Sequence, residues 1–255
     1  MAWWSRPATP PPERTLCLGE RAVPLVTRVN PRARRIALKV DTHQDRVILV
    51  LPHRRHLKAA DAFLDSKRDW LAARLADPPP AVVLADGAVV PLLGEPCRLR
   101  HCPGARRGVW REGREILVSG APEHLPRRVT DWLRVQARAE ISARVKAHAE
   151  SLGVTPGRIT LRDTRSRWGS CASSGALSFC WRLVMAPPWV LDYVTAHEVA
   201  HLREMNHGPA FWAHVETLTP GARHPARAWL RDHGAALHRV GGPVGSMARV
   251  QQFSF

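Results

Sequence analysis

An α+β protein is predicted: a β-rich N-terminal module with an inserted helix, followed by a part that combines helices with a β-hairpin. Three observations carry this. Up to about residue 118, short apolar runs alternate with turn-forming dipeptides, the pattern of strands. From Val129 to Ala149, apolar residues recur at every fourth position, the pattern of a long helix with one buried stripe. From Val190 the steps of three and four return, directly after a second run of strand-like segments.

The elements follow in order. Residues 1–14 read as a disordered leader, because Met1-Ala2-Trp3-Trp4 runs into the proline-rich segment Pro7 to Pro12. A β-rich module is expected over 15–120. Val23 to Val29 is one strand, ended by the Asn30-Pro31 turn. Ile36 to Val40 and Val47 to Val50 make a hairpin around Asp41 to Asp45. One helix is expected from about Leu57 to Leu75, with Ala60, Phe63, Leu64, Lys67, Trp70, Leu71 and Leu75 on one face. Pro78-Pro79-Pro80 ends it. A second β region spans Val82 to Val118, with turns at Asp86-Gly87, Leu93-Gly94 and Glu112-Gly113. No repeat stands out in this half, and its histidines lack metal-ligand spacing. The domain junction is expected near Gly120.

A second domain is expected over 121–240. Its first helix runs from about Pro126 to Leu152, carries arginines on its other faces and stops at Gly153. Ile159 to Arg162, Thr164 to Cys171, Ala176 to Phe179 and Trp181 to Val184 read as β segments, with a turn at Ser173-Ser174-Gly175. Pro225 to Val240 is a last helix, and 241–255 a flexible tail.

Composition bounds the function. With 45% hydrophobic and 24% charged residues, the chain of 255 residues is an ordinary globular sequence rather than a disordered or fibrous one. No apolar run is long enough to span a membrane and no signal-peptide pattern appears, so a cytoplasmic location without a membrane partner is expected. The scattered, odd set Cys17, Cys97, Cys102, Cys171 and Cys180 argues against a disulfide framework. The net charge of +16 suggests attraction to anions, with nucleic acid as a secondary partner. Nearly all of it is arginine, however, and no basic arm or aromatic-interleaved motif is present.

The chemistry concentrates at His197-Glu198-Val199-Ala200-His201. Two histidines one helical turn apart face the same way, so both imidazoles can converge on one ion. Glu198 is then free to act as general base toward a water that the metal activates, the arrangement of helical zinc hydrolases. A catalytic zinc keeps one position open, so a third protein ligand is needed. His207 is the expected one, provided the helix ends between His201 and His207; Asn206 tolerates the left-handed conformation that ends helices. Glu204, His214, Glu216 and His224 are the rivals, Glu204 foremost because it follows His201 by three residues. Gly208-Pro209 begins a new helix through Phe211, Trp212, Val215 and Leu218.

Candidate substrate contacts lie on both sides of this motif. Trp168-Gly169-Ser170 is a candidate edge strand for an extended substrate, with strand packing the plainer role of Trp168. Arg165 and Arg167 alternate onto one strand face, where they hold an anion or solvate an edge. Tyr193, one turn before His197, is placed to donate to an oxyanion or to pack in the core.

Arg167-Trp168-Gly169-Ser170-Cys171, Trp181-Arg182-Leu183, Ala186-Pro187-Pro188, Tyr193-Val194, the His-Glu-x-x-His helix, Asn206-His207 and Phe211-Trp212 together resemble the YgjP-like metallopeptidase family. That family is described as predicted zinc-dependent hydrolases related to SprT-like zincins. The resemblance is specific over about 160–216 and traceable upstream, at Arg34-Arg35, Trp70 and Leu93-Gly94. It implies a zincin-like domain over 121–240, one zinc ion on His197, His201 and His207, and Glu198 as the catalytic residue. The spacing of His197 to His207 also resembles the metzincins, but Glu204 occupies their helix-ending glycine position, so that class is not assigned. A metallopeptidase acting on a peptide or other anionic substrate is the leading expectation. Two alternatives stay open: hydrolysis of a phosphoanhydride at the same centre, with Arg165 and Arg167 on the phosphates, and a non-catalytic basic module that binds nucleic acid or a partner. Oligomeric state is not readable from the sequence.

Overall fold

The computed structural model describes residues 14–19, 21–41, 46–75 and 80–241. The expected leader and tail lie outside these, apart from Arg14 and Gly241. The chain forms two compact units that divide between Pro79 and Pro80.

The first unit is a four-stranded sheet with two helices. Its strands are β1 (Arg14–Leu18), β2 (Arg21–Val29), β3 (Ala37–Asp41) and β4 (Arg46–Leu51), in the order β1-β2-β4-β3. β3 and β4 form the expected antiparallel pair, and β4 runs parallel to β2. The turn of that hairpin, 42–45, is not described. Alternation decides which residues enter the core: Leu16 and Leu18, Val23 and Leu25, and Val47, Leu49 and Leu51 are all buried.

The single helix expected over 57–75 is two: α1 (Leu57–Asp65) and α2 (Arg68–Leu75). The Ser66 hydroxyl donates to the Phe63 carbonyl at the break. Lys67 goes to solvent, while Ala60, Leu64, Leu71 and Leu75 stay buried. Trp70, expected on the buried face, is 50% exposed.

The second unit holds everything from Pro80 to Gly241. Its first part is a sheet of β5 (Val89–Leu92), β6 (Glu95–His101), β7 (Val109–Glu112) and β8 (Glu115–Val118), in the order β5-β6-β8-β7. β6 and β8 are parallel and both flanking pairs are antiparallel. The first sheet has the same topology, a correspondence invisible as a residue repeat because pairing depends on period-two burial rather than on residue identity. The junction expected near Gly120 therefore falls inside a unit. Val90, Leu92, Cys97, Leu99, Ile116 and Val118 share one core with the helix that follows.

That helix, α3 (Leu125–Leu152), buries Val129, Leu133, Ala137, Ile141, Val145 and Ala149, the expected four-step stripe. Gly153 caps it in the left-handed region at φ 61°. A three-stranded sheet comes next: β9 (Ile159–Arg162), β10 (Gly169–Cys171) and β11 (Leu177–Cys180), ordered β10-β11-β9, which leaves β10 at an edge. The strand expected over 164–171 is thus only its last three residues, and Arg165 and Arg167 sit in the bend before it rather than on a strand face. Trp181–Met185, expected as a strand through Val184, is a 3₁₀ turn. All five of its residues are buried, and a strand with one solvent face has no place for five consecutive inward residues.

Three helices complete the unit: α4 (Pro188–Ala200), α5 (Pro209–Leu218) and α6 (Arg223–Arg239). The β5–β6 turn steers α4. Leu93 and Gly94, both at positive φ (51° and 78°), donate their backbone N–H groups to the carbonyls of Val184 and Met185. Gly94 lies so close to Pro187 that a Cβ would stand 3.0 Å from its Cα. No helix among the described residues is long and apolar enough to cross a membrane.

Candidate metal centre

α4 brings His197 and His201 to one face. The helix ends at once: the N–H groups of Arg203 and Glu204 both donate to the Ala200 carbonyl, and the chain turns back. Asn206 is not left-handed; among the described residues Leu93 is the one non-glycine at positive φ. The reversal is made instead by these tight turns and by the Gly208 N–H donating to the Asn206 carbonyl. It returns His207 to His197, with their Nε2 atoms 3.2 Å apart.

Ligand atoms of His197, His201 and His207 all lie within 4.8 Å of one another. Nitrogens at about 2.0–2.1 Å from a tetrahedral zinc would be separated by about 3.3–3.4 Å, so the His197–His207 spacing suits such an ion. The Nδ1 of His201 pairs with the Glu204 carbonyl at 3.0 Å, which leaves Nε2 for the centre. Glu204 thus serves the cluster through its backbone, and its carboxylate is not in it. The remaining rivals, His214, Glu216 and His224, are also absent from the cluster. Phe211 packs against all three imidazoles, with ring centroids 4.9, 4.5 and 4.7 Å away, and fixes their faces.

The electrostatics suit cation binding. Burial, reinforced by the charges of His201, His207, Arg227 and Arg223, pushes His197 down to about 3. Burial also lowers His201, with the Glu204 carbonyl opposing and His207 assisting. Both rings are therefore neutral at neutral pH, the form that offers a lone pair. His207 is exposed, while the Nδ1 of His197 is buried without a hydrogen-bond partner. The donor set of three imidazoles fits a divalent transition metal.

Glu198 points into the same cleft, which measures about 380 Å³. Burial pushes its carboxyl up to about 7, against the opposing charge of Arg167. Gly169 on β10 makes room for it: a Cβ there would stand 2.6 Å from a Glu198 carboxylate oxygen. Trp168 and Tyr193, two further sequence candidates, line the cleft with Gly169. Trp168 stacks on His238 at 4.7 Å and crowds Gly234, so it packs in the wall as well. Ser170 pairs with Ser178 in the β10–β11 ladder and does not line the cleft; nor do Arg165 and Arg167.

Sequence reasoning missed the α6 wall. Arg227 and Leu230 line the cleft from that helix, joined by Val194 and Trp212, which the sequence motifs name without a cleft role, and Arg223 covers Trp212 with its guanidinium 3.4 Å from a ring centroid. The signal was present, since Arg223, Arg227 and Leu230 repeat at helical steps of four and three.

A model of the family described as YgjP-like, metallopeptidase domain, matches residues 34–233. No curated protein matches the chain significantly. Two solved structures are similar to part of it. The metallopeptidase zymogen of Pyrococcus abyssi abylysin is 18% identical, over 36% of this chain and 93% of its own, with a TM-score of 0.33. That of Methanocaldococcus jannaschii jannalysin is 17% identical, over 36% and 94%, with a TM-score of 0.33.

Proposed function

This chain belongs to the YgjP-like metallopeptidase family, which gives it metal-dependent peptidase chemistry, and from that we propose that one zinc ion held by His197, His201 and His207 serves hydrolysis with Glu198 as general base. The observation that carries this reading is the convergence of three imidazole nitrogens in the cleft that Glu198 lines. When bound, zinc supplies Lewis acidity toward the scissile carbonyl and lowers the pKa of water toward about 7.

The protein's own groups do the rest. Glu198, held between α4 and β10, takes a proton from the attacking water and returns it to the leaving amine. Its place in the cleft beside the three imidazoles puts its carboxylate within reach of both the attacking water and the leaving amine. The edge position of β10 offers backbone partners to an extended substrate, and Gly169 keeps that approach free of a side chain. Tyr193 lines the cleft one turn before His197 and is the candidate donor to the oxyanion.

The test is Glu198→Gln. One metal ion per chain should remain by elemental analysis, while peptide hydrolysis falls by roughly 10²–10⁴-fold. Turnover equal to the unaltered protein would remove the general-base role, and hydrolysis of nucleotides but not peptides would overturn the peptidase reading.

A further inference from the structure

Arg227 is the one cation other than histidine among the cleft-lining residues, and Glu198 the one carboxylate. Glu198 approaches from α4, against β10, and Arg227 stands on α6. Between them the walls are apolar: Trp168, Tyr193, Val194, Trp212 and Leu230. Among the described residues no carboxylate pairs with Arg227. The neighbouring arginine one turn earlier, Arg223, is spent on the face of Trp212, and its Nε is buried without a partner. Arg227 is close enough to the centre for its charge to act on both His197 and Tyr193.

A guanidinium is a planar fork that matches a carboxylate with two parallel hydrogen bonds. An unpaired one at the rim of an apolar cleft is a recognition element waiting for an anion. A single accessible arginine balances one negative charge. A triphosphate carries several and is usually met by clustered cations or a glycine-rich backbone cradle, neither of which lines this cleft. Resting on the peptidase reading above, we propose that Arg227 is a specificity-determining residue that binds a carboxylate of the peptide substrate close to the scissile bond. That carboxylate comes from an acidic side chain or from the substrate's own C-terminus, with an apolar side chain against Trp212 and Leu230.

The test is a binding and cleavage comparison on metal-loaded protein. The probes are short N-acetylated, C-amidated peptides in which one Glu, or its Gln isostere, is walked across the central positions. The neutral peptide with a free C-terminal carboxylate is the second arm, and separates the two sources of the anion. Binding is read by fluorescence anisotropy on Glu198→Gln, where no turnover interferes; cleavage is read on the protein with Glu198 intact. A Glu peptide or the free acid should bind roughly tenfold to a hundredfold tighter than its neutral counterpart, the range for a charge-assisted hydrogen bond. That ratio should fall to near one in Arg227→Ala, recover in part in Arg227→Lys and reverse toward a Lys peptide in Arg227→Glu. Equal binding of charged and neutral peptides, or a ratio that survives Arg227→Ala, overturns the assignment. So does inorganic triphosphate that displaces the peptide through Arg227 more tightly than any carboxylate. Cleavage without preference would sink the carboxylate subsite alone. An Arg227-dependent preference without cleavage would sink the peptidase reading and leave the subsite standing.

Discussion

At the scale of single residues, Gly169 and Glu198 define how tightly the centre is built. A Cβ at Gly169 would stand 2.6 Å from a Glu198 oxygen and 2.6 Å from its Cγ, inside any tolerable contact. Gly169→Ala should therefore push the carboxylate off its position. A shift of about 1 Å in a catalytic group costs on the order of 10²-fold, so kcat/KM should fall by about that much while metal content stays unchanged. Equal loss of metal and activity would show that α4 and its histidines, not the carboxylate alone, had moved. The proposed third ligand, His207, is tested in the same way. His207→Ala should lower metal content sharply, whereas Glu204→Ala should not, because Glu204 contributes a backbone carbonyl that alanine keeps. Metal titration of both variants, followed by elemental analysis, separates them. His197, Glu198 and His201 were legible because helical spacing alone sets their relative directions. The partner of Gly169 was not, because it lies 29 residues away in sequence.

At the scale of elements, a buried arginine ties together the segments around the centre. Arg182, in the 3₁₀ turn before α4, donates to both carboxylate oxygens of Asp163, at 2.7 and 3.2 Å. It also donates to the carbonyls of Leu237 and Val240 at the end of α6, at 3.0 and 2.6 Å. Burial pushes the Asp163 carboxyl up, but the hydrogen bond and charge of Arg182 outweigh it, with His238 assisting, and hold it below the usual 3.8. A carboxyl depressed in the folded state stabilises above its unfolded pKa, and that contribution disappears as pH falls through the folded value. Asp163→Asn should therefore lower the thermal midpoint at neutral pH, by roughly 1–3 kcal/mol of stability, less than for a fully buried pair because Asp163 is part-exposed. The difference from the unaltered protein should shrink as pH is taken below 3.8. A difference that persists unchanged at low pH would refute the ion-pair account. The long helix α3 was readable from its four-step stripe, because one helix face meets one core. The 3₁₀ turn at Trp181 was not, because five inward residues in a row carry no periodicity to read.

At the scale of the whole molecule, the two units have separate cores. Leu16 to Leu75 supply one, and Leu84 to Val240 supply the other, which surrounds the candidate metal centre. A ligand stabilises the elements whose folded form it binds. Chelation should therefore reduce amide exchange protection in α4 and α5 and leave β1 to β4 of the first unit unchanged. Hydrogen exchange with and without chelator reads this directly, and equal loss across both units would contradict it. The charge of +16 acts at this scale too, raising the local concentration of anions around the molecule, while Arg227 provides the short-range contact in the cleft.

Residue spacing was enough to read the α+β class, the stripe of α3, and the helix that carries His197, Glu198 and His201. Each of these is set by spacing along one element, and spacing is a local property of the chain. Only the tertiary structure decided where the units divide, that His207 returns to within 3.2 Å of His197, and that Arg227 forms the opposite wall. Those facts depend on how the chain reverses between elements and on which surfaces meet. Side chains far apart in sequence become neighbours only when a core is packed between them.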